Sequence, residues 1–244
     1  MTLAPPADQA KIARLVDFET TGLPEDPAAA ICEAARLDID LGAPDFPILT
    51  GSAWSSLINP GIPIPPETMA VHHITDEDVA GAPDRLFAYQ ALAAGLAESD
   101  VYVAHNAKFE QHFYSKRPQR WVDTYKCALR AWPEAPSHSN QVLRYWLKLG
   151  VDRRLADPAH RALPDCFVTA EILRRLLSMR PLERLIEISG QPTILPRCTI
   201  GEHRGKPWAD VPIGFLKWMA DKDSMDADLK HNAKREIKRR EKAA

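Results

Sequence analysis

The most restrictive feature of this chain is a pair of acids at the end of a mainly apolar run. Asp17 and Glu19 follow Ile12 to Val16 and stand two residues apart. In a β-strand, side chains at i and i+2 share a face. Both acids then project together while Phe18 packs on the opposite face. Adjacent anions repel, and burying them without compensation is costly. A divalent cation removes that cost, and an oxygen-only donor set suits Mg²⁺ or Mn²⁺. Thr20, Thr21 and Gly22 come next and offer hydroxyls and close backbone approach. By spacing alone the same acids also fit a strand end with solvated charges, so the rest of the chain has to discriminate.

Length and composition set wide bounds. The 244 residues allow one large domain, or one domain with a small appendage. Hydrophobic content of 45% suffices for an ordinary core. A net charge of -2 does not advertise a nucleic-acid partner, so any basic surface has to be local. No apolar run reaches the length of a membrane span, and Met1 to Ala10 lacks the apolar segment of a secretory signal. Cys32, Cys127, Cys166 and Cys198 are scattered without C-x-x-C spacing and read as reduced core thiols, not a zinc site. The expectation is a cytoplasmic protein with no membrane partner.

In chain order, Ile12 to Val16 reads as a first strand. The later half of Ala28 to Leu41 pairs with it, and Trp54 to Ile58 adds a third strand, giving an antiparallel meander. Ile62 to Pro66 is a loop. Glu67 to His72 is a short helix, and Thr75 caps another with an acidic first turn. Arg85 to Leu96 reads as a helix with Leu86, Phe87, Leu92 and Leu96 on its apolar side. Val101 to Val103 is a buried strand, and His105-Asn106-Ala107-Lys108-Phe109-Glu110 opens a helix after it, with His105 and Asn106 placed to cap it. Phe109 suits the core better than a base-stacking role. Asn140 to Leu149 is a helix ended by Gly150, and Cys166 to Met179 is a strong helix preceded by His160 to Asp165. Strands first, then strand–helix alternation, predict an α/β layer around a mixed sheet. A Pro-containing linker over 191–198 divides a unit over 11–190 from a small C-terminal module over 199–244. Trp208, Phe215 and Trp218 supply the module's core, and a tail from Leu229 carries a local charge of +5.

Three separated segments thus end in acids: Asp17 with Glu19, then Glu110, then Asp165, with His160 five residues ahead of the last. Several carboxylates holding two cations, plus a histidine as base, is the pattern required for hydrolysis of a phosphodiester.

Asp17-Phe-Glu19-Thr-Thr-Gly22, His105-Asn106-Ala107-x-Phe109-Glu110 and His160-x-x-x-x-Asp165 resemble the three motifs of the DEDDh branch of the DnaQ-like 3′→5′ exonucleases. The segment from Gly201 to Trp218 resembles the small module appended in the exonuclease X group of that family. The resemblance implies a ribonuclease-H-like, five-stranded mixed sheet with helices on both faces. It also implies release of nucleotides from single-stranded or duplex DNA 3′ ends, in repair, with two Mg²⁺ or Mn²⁺ ions held by Asp17, Glu19, Glu110 and Asp165. His160 is then the general base. Thr20, Thr21, Gly22 and Leu23 receive the terminal nucleotide, and His72, His105, Asn106 and Phe109 are further substrate-side candidates. A homodimer is allowed but not decided. Glu110 departs from the motif, which normally ends in Asp, and this keeps open a lapsed protein that only binds nucleic-acid ends. An RNA-trimming enzyme on the same site is the other alternative.

Overall fold

The computed structural model describes residues 10–115 and 118–242. The residues read for a secretory signal therefore lie, apart from Ala10, outside the described ones. Five strands form one sheet: β1 (Ile12–Thr20), β2 (Ile31–Asp40), β3 (Trp54–Leu57), β4 (Val101–Ala104) and β5 (Arg120–Asp123), in the order β3-β2-β1-β4-β5. The first three pair antiparallel, and β4 and β5 add in parallel. This is the expected meander followed by crossovers, with β2 starting at Ile31, earlier than expected. The helices are α1 (Pro66–His72), α2 (Asp76–Val79), α3 (Arg85–Ala93), α4 (Lys108–Phe113), α5 (Thr124–Ala131), α6 (Asn140–Trp146), α7 (Arg153–Ala156), α8 (Ala162–Leu177), α9 (Leu182–Ser189), α10 (Ile213–Asp221) and α11 (Ala227–Glu241). No helix among the described residues is long and apolar enough to cross a membrane.

Side-chain alternation along β1 builds two cores. Ala13 and Leu15 face a layer made by α5, α6, α8 and α9, whereas Val16 and Phe18 face α3 and α4. Asp17 and Glu19 therefore continue the face of Leu15 and look toward α8. The opposite face carries a buried ion pair: Arg14 lies directly across from Asp38, with Nε–Oδ1 and Nη2–Oδ2 distances of 2.8 and 2.7 Å. Nη1 of Arg14 donates to the carbonyls of Leu92 and Ala94, so the same guanidinium satisfies the end of α3.

Three local expectations change. In α3 the buried residues are Ala88 and Leu92, while Leu86 and Phe87 are exposed. The small Ala88 turns to the sheet, and the Phe87 ring lies against Trp54 instead, centroids 6.1 Å apart. The helix α6 stops at Trp146, before Gly150, because Lys148 takes the left-handed position at φ 50 and Leu149 N–H closes on the Arg144 carbonyl. The helix α8 begins at Ala162, so Asp165 sits inside its first turn and not ahead of it. As expected, Thr75 caps α2, and Asp78 reciprocates to complete a capping box; all four cysteines are buried and free.

The C-terminal segment has its own small core of Cys198, Trp208, Val211, Leu216, Met219 and Ala233, with Phe215 partly buried against it. Trp218 is exposed, stacked under Lys222. Asn232 of α11 ties this segment to the preceding chain through the backbone of Thr193 and Leu195.

Replacing one partner of a buried ion pair strands the other. Asp38→Ala is expected to lower unfolding free energy in urea by about 3–5 kcal/mol. A loss under about 1 kcal/mol, the range of exposed pairs, means that Arg14 reaches water.

Candidate active site

Asp17 and Glu19 end β1 on the face covered by α8, and Asp165 in the first turn of α8 meets them there. One carboxylate oxygen from each of the three lies within 4.8 Å of the others. Glu110 arrives from the other layer. The chain turns sharply after β4, with Asn106 at φ 77, and α4 then carries Glu110 over the edge of the sheet. Its side chain is 3% exposed, and Oε2 is buried with no hydrogen-bond partner.

The electrostatics are those of crowded anions. Burial, then the charges of Asp165, Glu19, Glu110 and Glu33, raise Asp17 well above the ordinary carboxylate range. Glu19 is pushed up to about 8 by burial and by Asp165 and Glu33, with Arg161 opposing. Burial also raises Glu110 and Asp165. Oxygen-only donors, an orphaned buried carboxylate oxygen and acids that resist ionisation in concert together fit a divalent cation.

One further acid, Glu33, and the partners Arg161 and Gln141 were not singled out from sequence. Glu33 lies directly opposite Glu19 across the β1–β2 pair. Like charges facing each other in this way are destabilising. Arg161 answers with a bidentate pair, Nη2–Oε1 2.6 Å and Nε–Oε2 2.9 Å, and the amide of Ala162 donates to the same Oε2. Glu33 thereby anchors the start of α8 and the loop bearing His160. That histidine is exposed, at φ 59, and its backbone N–H donates to Asp165 Oδ2 at 3.1 Å. Gln141 of α6 donates to Asp165 Oδ1 at 2.7 Å, so both oxygens of that carboxylate are oriented. Antiparallel register reveals the role of Glu33, and no linear motif carries it.

The exonuclease family model of the ribonuclease T type matches residues 15–173. The chain belongs to this family. It is 34% identical to exodeoxyribonuclease 10 of Escherichia coli strain K12 over 223 residues, which are 89% of this chain and 94% of that protein. DNA polymerase III subunit epsilon of Treponema pallidum is 30% identical over 66% of this chain and 74% of its own length. Among solved structures, exonuclease X in complex with 5′-overhanging duplex DNA superposes with a TM-score of 0.62 at 33% identity, covering 73% of this chain and 99% of that one. Escherichia coli exonuclease I with a dA16 oligonucleotide, at 18% identity and a TM-score of 0.56, shares the fold over 73% of this chain and 42% of its own. The sheet is thus the ribonuclease-H-like one, and the protein is a 3′→5′ exonuclease whose family depends on divalent metal.

The remaining sequence-predicted residues of this exonuclease divide. Leu23 is exposed at the tip of the turn after β1. Thr20 and Thr21 are buried, and their hydroxyls shape that turn: Thr20 Oγ1 donates to the Gly22 carbonyl, and Thr21 Oγ1 accepts from Ala30 N–H. A Cβ on Gly22 would come no nearer than 3.4 Å to Ala29 and Asp26, ordinary contact. Phe109 is half-buried against Phe113 in the core beside α4.

Three of the sequence-predicted substrate-side residues have partners within the fold. His72 is 2% exposed; its Nδ1 accepts from Ile74 N–H, and its Nε2 lies 3.7 Å from Cys32 Sγ. His105 bridges Thr124 Oγ1 and the His138 carbonyl through its two nitrogens, and burial lowers it to about 4, so it stays neutral. Asn106 does not cap α4, which has no side-chain cap. It fills a left-handed turn position, which asparagine tolerates, and its N–H meets Asp123 Oδ1 at 3.3 Å.

The crowded acids predict how the metal-free protein responds to pH. A carboxyl with a raised folded pKa holds its proton longer folded than unfolded, so stability falls as pH rises between the two values. For Glu19 that window runs from 4.5 to about 8. Thermal unfolding in EDTA should show a falling Tm in the upper part of this range, above 6.5, where the buried neutral His105 no longer opposes the trend, and saturating Mn²⁺ should remove the decline. A Tm that rises over that upper part in EDTA contradicts the charge crowding.

Proposed function

We propose that this exonuclease releases nucleotides from DNA 3′ ends by two-metal hydrolysis. Asp17, Glu19, Glu110 and Asp165 would hold two Mg²⁺ or Mn²⁺ ions. The observation that carries the reading is the approach of Asp17, Glu19 and Asp165 within 4.8 Å, together with the buried, partnerless Oε2 of Glu110, whose charge bears on Asp17. Bound ions would neutralise the carboxylates and the charge that develops on the phosphoryl oxygens.

The chain's own groups do the rest. His160 takes the proton of the attacking water on its imidazole as the water oxygen bonds to phosphorus. The bond from phosphorus to the 3′-oxygen of the penultimate nucleotide breaks, that oxygen takes a proton from solvent, and the terminal nucleotide leaves with the phosphate. Asp165 orients the His160 loop through its hydrogen bond to the His160 amide. The turn of Thr20, Thr21, Gly22 and Leu23 receives the terminal nucleotide, with exposed Leu23 against its base or sugar. DNA is favoured over RNA because the relative covering 89% of this chain is an exodeoxyribonuclease and the structure superposing at a TM-score of 0.62 holds duplex DNA. A place in DNA repair follows the family resemblance. We assign catalysis to residues 11–190, with 191–198 a linker and 199–244 an appended module. A homodimer remains compatible with this assignment.

Release of label from 3′-labelled single-stranded and duplex DNA and RNA tests the reading. Activity on DNA should vanish in EDTA and return with Mg²⁺ or Mn²⁺; undiminished cleavage in excess chelator ends the two-metal proposal. His160→Ala should lose about 10²–10⁴ in kcat while still binding DNA, and a value within a few-fold of native reassigns the base.

Glu110 has a longer reach than the usual aspartate, and catalytic constellations tolerate about 0.5 Å of misplacement. Glu110→Ala should lose most activity, and Glu110→Asp should remain active. Mn²⁺, which accepts looser geometry, should serve the native protein at least as well as Mg²⁺. Native protein inert in both metals beside an active Glu110→Asp identifies a lapsed enzyme.

A further inference from the structure

Away from the acid cluster, a cleft of about 650 Å³ opens between the last turn of α5, the segment from Gln191 to Pro196, and α11. It shares no lining residue with the acid cluster. Arg130, His231 and Arg235 line it, and no acidic residue does. The remaining wall is largely apolar, with Pro133, Pro192, Ile194 and Pro196 among it.

Its cations are poorly neutralised. Arg130 Nε is buried without a partner, and among the described residues the guanidinium's one hydrogen bond is a long 3.5 Å contact from Nη2 to the Pro192 carbonyl. The positive charges of Arg184 and Arg235 bear on it, with Glu187 opposing from α9. Glu187 is itself paired with Arg184. Among the described residues, neither His231 nor Arg235 has a hydrogen-bond or ion-pair partner through its side chain.

The sequence of α11 separates two sets of cations. Arg239 and Arg240 both pair with Glu236, and Arg240 also donates to the carbonyls of Trp208, Ala209 and Val211. These two are structural. His231, Arg235, Lys238 and Lys242 recur at helical spacing along one stripe. At 1.5 Å per residue the stripe runs about 16 Å.

We propose that this cleft and stripe bind the backbone of a single-stranded DNA segment outside the catalytic site. The inference rests on the proposed DNA substrate. Uncompensated cations track phosphates, as the cationic grooves of single-strand binders do, while the wall of prolines and Ile194 offers apolar contact to unstacked bases. A duplex presents mainly phosphate and sugar at its outside and has little use for that wall.

The test is fluorescence anisotropy of phosphorothioate-blocked, single-stranded DNA, comparing a trinucleotide with a twenty-nucleotide strand across a salt series. Arg130→Gln with Arg235→Gln should shrink the gain in affinity from the short to the long strand. It should also make the long-strand log Kd–log salt slope shallower by about 1.4, two phosphates at about 0.7 each. His231→Ala with Arg235→Gln, confined to the partly exposed face of α11, is the second variant should Arg130→Gln disturb folding by circular dichroism. It should lower long-strand affinity in the same direction. Unchanged length dependence and slope in a folded variant overturn the proposal, as does an equal loss for blunt duplex and single strand. Nucleotide release by the native protein from an unblocked strand reports separately on the substrate reading.

Discussion

The repulsion among Asp17, Glu19, Glu33 and Asp165 is the constraint on which the rest of the site depends. Antiparallel register places Glu33 opposite Glu19, and helix α8 brings Asp165 down on the same face. The protein supplies one answer of its own. Arg161 grips Glu33 bidentately, and the first amide of α8 joins it. A charge that would otherwise worsen the crowding becomes the anchor fixing α8 against β2. The pair is partly buried, so its value lies in position more than in net stability, since desolvation offsets much of the attraction.

That anchoring depends on the two-core arrangement of the sheet. Odd-numbered residues of β1 run from hydrophobic Ala13 and Leu15 straight into Asp17 and Glu19 without changing face. The helix covering the apolar half also supplies the acid for the polar half. Phe167, Val168, Ile172 and Leu176 of α8 are buried in the core, while Asp165, in its first turn, stands at the carboxyl end of β1. Packing of the apolar residues therefore sets the distance between carboxylates. The even-numbered face carries the other charge problem, Arg14 with Asp38, and answers it inside the protein with four hydrogen bonds from the guanidinium.

Much of this was legible in the sequence because it is periodic or local. The i, i+2 acids, the alternation of β1, the capping Thr75 and the histidine five residues before Asp165 each occupy one short window. What escaped depends on residues far apart in the chain. Glu33 and Arg161 are 128 residues apart, and Gln141 and Asp165 are 24 apart. Long-range partners also set the histidines. His72 and His105 lie in motif-like segments, yet both ring nitrogens of each face partners supplied by the fold. The face of α3 was misjudged because large apolar side chains outweighed Ala88 in a pattern reading, whereas close packing on a sheet favours the small residue.

The two ends of the acid cluster differ in how firmly the protein holds them. Asp165 has Oδ1 fixed by Gln141 and Oδ2 by the His160 amide, and Gln141 is in turn held by Arg144, which pairs with Asp157. Its orientation is set before any cation arrives, so less order has to be created on binding. Glu110 has no such support at Oε2 and carries one more rotatable bond than an aspartate. A carboxylate that is buried, unpartnered and extended is adjustable, and the same burial that raises its pKa makes a cation its best available partner. The exonuclease thus combines a rigid proposed ligand beside its proposed base with a compliant proposed one on α4. The substitution of Glu for Asp in the second motif falls on the compliant side, where an added methylene is most easily absorbed.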